Sequence, residues 1–252
     1  MSDDNFIQVY DSQGTAYSQA FDVFLAHTDQ KANASAWLEQ QVAGLARSEV
    51  FIDAGAGTGK LTAWLAPRFR RTIAIEPNPS LRDQLRQACP GVEVLPESIA
   101  AAQPRVQADF VLCSHVFYYL ERGQWAETLG VLAGWLGPDG LLAVGLQNHQ
   151  TDCMRMLRHF TGDEFDLSSL GREFAQAAEG TFDVRTDTVE AHIQTKTFEA
   201  AYIICEFMLN LLPLPRPPRR AELQRYLQDH FRHGEGYRMS CHQDFLRLQR
   251  RA

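Results

Sequence analysis

The stretch Val50-Phe51-Ile52-Asp53-Ala54-Gly55-Ala56-Gly57-Thr58-Gly59-Lys60 decides the fold. A short apolar run ends in an aspartate and opens onto three glycines at spacing two. The run reads as a buried strand. Glycines at 55, 57 and 59 let the backbone turn sharply, approach a ligand closely and leave amide N–H groups free at a helix start. Such loops serve several ligands, and spacing separates them. A dinucleotide fingerprint needs glycine at position 60, which is Lys60. A P-loop needs glycine at position 54 and Ser or Thr at 61, where Ala54 and Leu61 stand. Lys60 therefore reads as a helix-surface lysine.

Outward from the loop, short apolar runs alternate with helical patterns. Strands are expected at Val50–Ile52, Thr72–Ile75, Val92–Leu95, Phe110–Cys113 and Leu141–Leu146. Helices are expected over Leu61–Arg68, Ser80–Gln87 and Gln124–Leu136, the last closed by the turn Gly137-Pro138-Asp139-Gly140. This alternation predicts an α/β fold, a Rossmann-like, mostly parallel seven-stranded sheet with helices on both faces. Residues 15–46 read as a helical cover. After residue 150, helices at 152–160 and 167–178 lead to a strand-like run at Phe182–Thr195, helices at 198–211 and 220–231, and a last strand over 236–250. The chain reads as one domain over 1–252, with a cofactor-binding core at 47–150 and an insertion at 196–235 placed to act as a lid.

Composition narrows the class. The chain has 252 residues, 45% of them hydrophobic, and a net charge of −7, so a full core is affordable and non-specific nucleic-acid binding is disfavoured. The arginines near the end alternate with acids and read as a solvated helix face. Five scattered cysteines make neither a disulfide framework nor a zinc site, and no metal-ligand spacing is present. The opening MSDDNFIQVYDS is acidic and lacks an apolar core, so no leader is expected. Ala201–Leu212 is too short and too polar to span a bilayer. The expectation is a cytoplasmic protein, monomer or homodimer, with a small-molecule partner, no nucleic acid and no membrane.

Asp-x-Gly-x-Gly-x-Gly over 53–59 resembles the first motif of the class I, Rossmann-like methyltransferases, which use S-adenosylmethionine. The resemblance implies that Asp53, Gly55, Ala56 and Gly57 cradle this cofactor. Glu76 ends the next strand about 20 residues on, where a carboxylate accepts from ribose hydroxyls, with Pro77 beside it; the alternative is a surface glutamate. Glu97 and Ser98 follow the third strand, at the corner that meets adenine, though Ser98 is as readily a helix cap. Ser114 and His115 end the fourth strand and so lie at the ligand crevice of an open α/β sheet.

Tyr17-x-x-x-Phe21-x-x-Phe24-Leu25-x-His27-Thr28, the tyrosine pair in Phe117-Tyr118-Tyr119-Leu120, and the late helical insertion are similar to the histamine N-methyltransferase-like small-molecule methyltransferases. That resemblance implies an acceptor pocket from the 27–31 turn, His115, Tyr118, Tyr119, Cys241 and His242. Beside it, Tyr17 is a candidate for the cofactor's cover, and His27 reads as holding backbone near the cofactor. Two positions depart from the family. Its acceptor-binding glutamate falls on Gln30, and its glutamine before the tyrosine pair falls on His115. Without the acid a cationic amine loses its partner.

The expected activity is methyl transfer to a metabolite nitrogen or oxygen. His115 is the candidate general base or, equally, a binding group, and Tyr118 and Tyr119 are the acceptor walls. Tyr10, Tyr17 and Phe21 read as an aromatic cover over the sulfonium; for Tyr17 and Phe21 the alternative is an amphipathic helix packing on the sheet. The alternatives are a methyltransferase of RNA or protein and a non-catalytic cofactor-binding scaffold. Cys113-Ser114-His115-Val116 lacks the Asn/Asp-Pro-Pro-aromatic motif of base-amino methyltransferases.

Overall fold

The computed structural model describes residues 5–11, 14–178 and 180–251. Residues 1–4 and 12, on which the leader reading partly rests, lie outside these. In chain order the first half contains α1 Thr15–His27, α2 Gln30–Ala43, β1 Val50–Ala54, α3 Lys60–Leu65, β2 Arg71–Ile75, α4 Pro79–Ala88, β3 Glu93–Leu95, β4 Ala108–Ser114, α5 Trp125–Gly134 and β5 Leu136–Gln147. The second half contains α6 Asp152–Thr161, α7 Leu167–Ala177, β6 Phe182–Val189, β7 His192–Thr195, α8 Phe198–Leu209, α9 Arg220–Phe231, β8 Arg232–His233, β9 Gly236–Ser240 and β10 Gln243–Arg250.

Seven strands form one sheet in the order β3-β2-β1-β4-β5-β10-β6, flanked by helices. β1 pairs in parallel with β2 on one side and β4 on the other. The strand order reverses at that point, so the carboxyl ends of β1 and β4 define the crevice where an open α/β sheet takes its ligand. Sheet-forming runs without polar interruption explain the burial: Phe51, Ile52, Ile73, Ile75, Phe110, Val111 and Leu112 are all fully buried. Helix entry is set locally. Asn78 caps α4 by accepting from the Ser80 and Leu81 amides, and Pro79 occupies the first helical position.

Chain contacts divide the molecule into two compact units. One comprises residues through Ala36, Gln147–Phe165 and Thr188–Gln243; the other comprises Trp37–Leu146, Asp166–Asp187 and residues from Asp244 onward. Within the first, β7, β9 and β8 make a small antiparallel sheet. Phe207 of α8 takes the rings of Tyr17, Phe21 and Phe24 at centroid distances of 5.3, 5.6 and 5.7 Å. Among the described residues no helix is long and apolar enough to cross a membrane.

Four expectations change in detail. The 15–46 helix is two helices, broken at Thr28, whose backbone is extended and whose hydroxyl donates to the His192 carbonyl. The runs 182–195 and 236–250 each split into strands of different sheets. The splits are tied together: Cys241 N–H donates to the Ala191 carbonyl, and Ala191 N–H donates to Nδ1 of His242. The Gly137–Gly140 turn is not a linker outside the sheet. β5 joins β4 at Leu136, opposite Ala108, and rejoins it at Leu141, opposite Phe110, so the turn is an irregularity within the strand.

Candidate active site

The glycine loop is held from below by β2. Gly55 and Ala56 both donate their N–H to the carbonyl of Ile75, at 2.8 and 3.0 Å. All three glycines are left-handed, with φ of 81°, 56° and 81° at 55, 57 and 59, which accounts for the spacing of two. They do not face alike. A β-carbon at Gly59 would meet Leu85 at 2.6 Å, so this glycine admits α4. A β-carbon at Gly57 would meet nothing within 4 Å, so this glycine alone of the three faces open space.

Glu76 stands at the base of that space and is 6% exposed. One carboxylate oxygen accepts from the Gly57 N–H at 2.8 Å and the other from the Asn78 N–H at 2.8 Å. Its own N–H donates to the Leu95 carbonyl. Two amides thus fix the carboxylate and leave lone pairs over for further donors. A pair of ribose hydroxyls, presented where Gly57 lacks a side chain, suits that arrangement. Pro77 is exposed, and its carbonyl is taken by Arg82. Asp53 is buried below the loop and accepts from the Thr62 hydroxyl at 2.6 Å. Burial, opposed by that hydrogen bond and aided by the nearby Glu76 charge, raises its carboxyl to about 6. Asp53 thereby ties the strand to α3 through Thr62.

Glu97 and Ser98 are exposed on the link after β3. Ser98 caps no helix; its carbonyl accepts from Ala101 and Ala102 in a turn. Glu97 lines a cavity of about 480 Å³ with Arg71, Glu93, Gln103 and Arg105.

Ser114 ends β4 opposite Gly145. His115 follows with φ of 58°, its N–H donating to the Gly145 carbonyl at 2.8 Å. Its ring stacks on Tyr118 at 5.8 Å. Burial lowers its imidazole to about 4, so the ring is neutral near pH 7. A single 3-10 turn over Phe117–Tyr119 then separates the tyrosine pair: Tyr118 is 9% exposed and Tyr119 68%.

The remaining candidates belong to the other unit. Tyr17 packs on Phe207 and, edge-on, on Tyr10, so this helix face packs against α8. His27 gives Nδ1–H to the Val23 carbonyl one turn back. Gln30 is buried, and its Nε2 donates to the Cys241 carbonyl at 2.7 Å. Cys241 is buried, its thiol pushed up to about 12 by burial. His242 accepts at Nδ1 from Ala191, so Nε2 carries its proton and is a donor. No group of three or more His, Cys, Asp or Glu able to hold a metal ion occurs among the described residues. The sequence reading passed over Thr62, Asn78, Arg82 and Val116. Asn78 before Pro79 carried a legible capping signal; the other three carry none, because Thr62 meets the Asp53 carboxylate, Arg82 meets the carbonyls of Glu76 and Pro77, and Val116 meets Gly55 only once the fold has formed.

A parallel sheet reversing between β1 and β4, with a glycine loop after β1 and a buried acid after β2, is an arrangement that class I S-adenosylmethionine-dependent methyltransferases share. Residues 25–179 match the family described as "Methyltransferase domain", and the chain belongs to that family. No curated protein matches it in sequence. The fold is shared with solved structures of low identity. YcgJ of Bacillus subtilis has a TM-score of 0.61 at 13% identity, covering 87% of this chain and 99% of its own. The N-methyltransferase NodS of Bradyrhizobium japonicum, solved with S-adenosyl-L-homocysteine, has 0.52 at 13%, covering 93% and 85%. A Thermotoga maritima methyltransferase described as a possible histamine N-methyltransferase has 0.51 at 17%, covering 92% and 93%.

Proposed function

We propose that this chain methylates a small-molecule acceptor at nitrogen or oxygen, using S-adenosylmethionine. The observation that carries the reading is the relation between Gly57 and Glu76: an open glycine whose amide and a buried carboxylate form one fixed cradle. When bound there, S-adenosylmethionine supplies a methyl group on a positively charged sulfur. The protein's task is to align the acceptor and exclude water. In this reading Glu76 takes the ribose, while Gly55, Ala56 and Gly57 present backbone. Asp53 stiffens the loop through Thr62. Glu97 and Ser98 are proposed for the adenine edge, with Tyr17 and His27 in the cofactor's cover.

His115 is proposed as the group that receives the acceptor's proton. Its imidazole is neutral near pH 7, and its ring plane is set by Tyr118. Tyr119, exposed beside it, offers an aromatic face to a planar acceptor. Gln30, Cys241 and His242 are proposed for acceptor binding. Gln30 stands where the resemblance implies an acid, which favours an uncharged acceptor over a cationic amine. A small metabolite as acceptor agrees with the net charge of −7, which disfavours RNA.

Titration calorimetry with S-adenosylhomocysteine tests the cofactor half: binding by the chain and its loss in Gly57→Arg are expected, and equal binding by both overturns it. Transfer of labelled methyl from S-adenosylmethionine to a metabolite extract tests the acceptor half. Label appearing only in protein or RNA overturns the small-molecule reading.

A further inference from the structure

Arg82 lies one turn into α4 and points back at the end of β2. One of its terminal nitrogens donates both to the Glu76 carbonyl at 3.1 Å and to the Pro77 carbonyl at 2.6 Å. Its Nε is buried without a hydrogen-bond partner. Among the described residues no carboxylate lies within ion-pair distance of it. A guanidinium serving only solubility would keep its Nε–H in water or on an acid. This one instead gives its charge to two backbone carbonyls of the turn that carries Glu76.

The contacts of Glu76 close into one circuit. Its N–H is held by Leu95, its carbonyl by Arg82, and its two carboxylate oxygens by Gly57 and Asn78. Asn78 in turn caps α4 and accepts, through its carbonyl, the N–H of Arg82 itself. Every polar group of the acid is therefore placed by loop, turn or helix. Arg82 links the helix to the turn by a side chain.

We propose that Arg82 is a positioning residue for cofactor recognition, fixing the 76–78 turn so that the Glu76 carboxylate keeps its aim at the ribose. The inference rests on the proposed ribose role of Glu76. Removing the guanidinium frees the two carbonyls and lets the turn rotate, so the carboxylate must be reordered each time the cofactor binds.

Calorimetry with S-adenosylhomocysteine on the full chain tests this, with Arg82→Met, Arg82→Lys, Glu76→Gln and the Glu76→Gln/Arg82→Met double variant. Arg82→Met keeps the aliphatic stem and is expected to weaken binding about 10-fold, the scale of one charge-assisted hydrogen bond. Arg82→Lys, whose ammonium reaches the same carbonyls, is expected to recover most of that loss. In the double variant Arg82→Met is expected to add little to the loss already caused by Glu76→Gln, since both act through one carboxylate. Unchanged binding by Arg82→Met beside a clear loss in Glu76→Gln overturns the role of Arg82 and leaves the ribose reading standing. Unchanged binding by Glu76→Gln overturns the ribose reading itself. Additive losses, or a loss with a lowered melting temperature that Arg82→Lys does not restore, overturn the proposal in favour of a general structural role.

Discussion

A β-carbon on Gly55 would sit 2.3 Å from Cγ2 of Val116. The loop leaving β1 therefore rests on the segment leaving β4, at the point where the strand order reverses. The two segments tolerate each other only because one has no side chain. Gly55→Ala meets both this contact and a left-handed backbone at φ 81°. The backbone costs about 1–2 kcal/mol and the overpacking about 1–3 kcal/mol. Together these lower the melting temperature by roughly 5–15 °C in a chain of this size.

Gly57→Ala separates binding from stability. Its φ of 56° imposes the same kind of backbone strain, yet its β-carbon has no neighbour within 4 Å. The melting temperature should fall only by roughly 2–8 °C, less than in Gly55→Ala. Affinity for S-adenosylhomocysteine should fall by about 10-fold or more, because the new methyl occupies the space the cofactor's backbone contact needs. Retained affinity in a folded Gly57→Ala protein would place the cofactor elsewhere.

These glycines also show how far the sequence was legible. The strand, loop and acid between Val50 and Glu76 are contiguous and local, and their order and spacing read directly as the core of the fold. Which glycine meets Val116, which meets Leu85 and which meets nothing depends on partners 26 to 61 residues away along the chain. No local spacing encodes that. Apolar runs likewise mark strands but not their sheet. Phe182–Thr195 and the run from 236 to 250 read as single strands because their pattern hardly changes at Ala191 and Cys241, where the backbone leaves one sheet for another. The tyrosine pair divides for a further reason. Adjacent residues in a 3-10 turn point about a third of a turn apart, so Tyr118 goes in and Tyr119 goes out.

His115 gives a pH prediction with a definite position. Burial holds its imidazole at about 4. If it receives the acceptor's proton, the acid limb it contributes to kcat/KM lies near pH 4, not at the ordinary 6.5, and leaves the rate level between about pH 5 and 7. His115→Asn, which tolerates the positive φ, should lower kcat by roughly 100-fold or more. The affinity for S-adenosylhomocysteine should stay near that of the wild type. A limb centred at 6.5 that vanishes in His115→Asn would contradict the buried, neutral ring; an unchanged kcat would remove His115 from proton transfer.

Asp53 and His115 pull the stability curve in opposite directions. Burial holds the Asp53 carboxyl at about 6, above its ordinary 3.8. Between those values the folded chain binds more protons than the unfolded chain at this site. Its contribution therefore falls as pH rises through the window, and the penalty is complete above 6. His115 does the reverse. Held at about 4 instead of 6.5, it leaves the unfolded chain with more protons, so stability rises with pH across that window. Asp53→Asn isolates the first effect, because an amide oxygen still accepts from the Thr62 hydroxyl that now bonds Asp53. At pH 4 the variant and the wild type should melt together. Above pH 7 the variant should melt higher, by an amount bounded by roughly 3 kcal/mol for a shift of about two units. Thermal melts across pH 4 to 8 decide it: a difference between the two proteins that does not change with pH means that Asp53 does not titrate in this window.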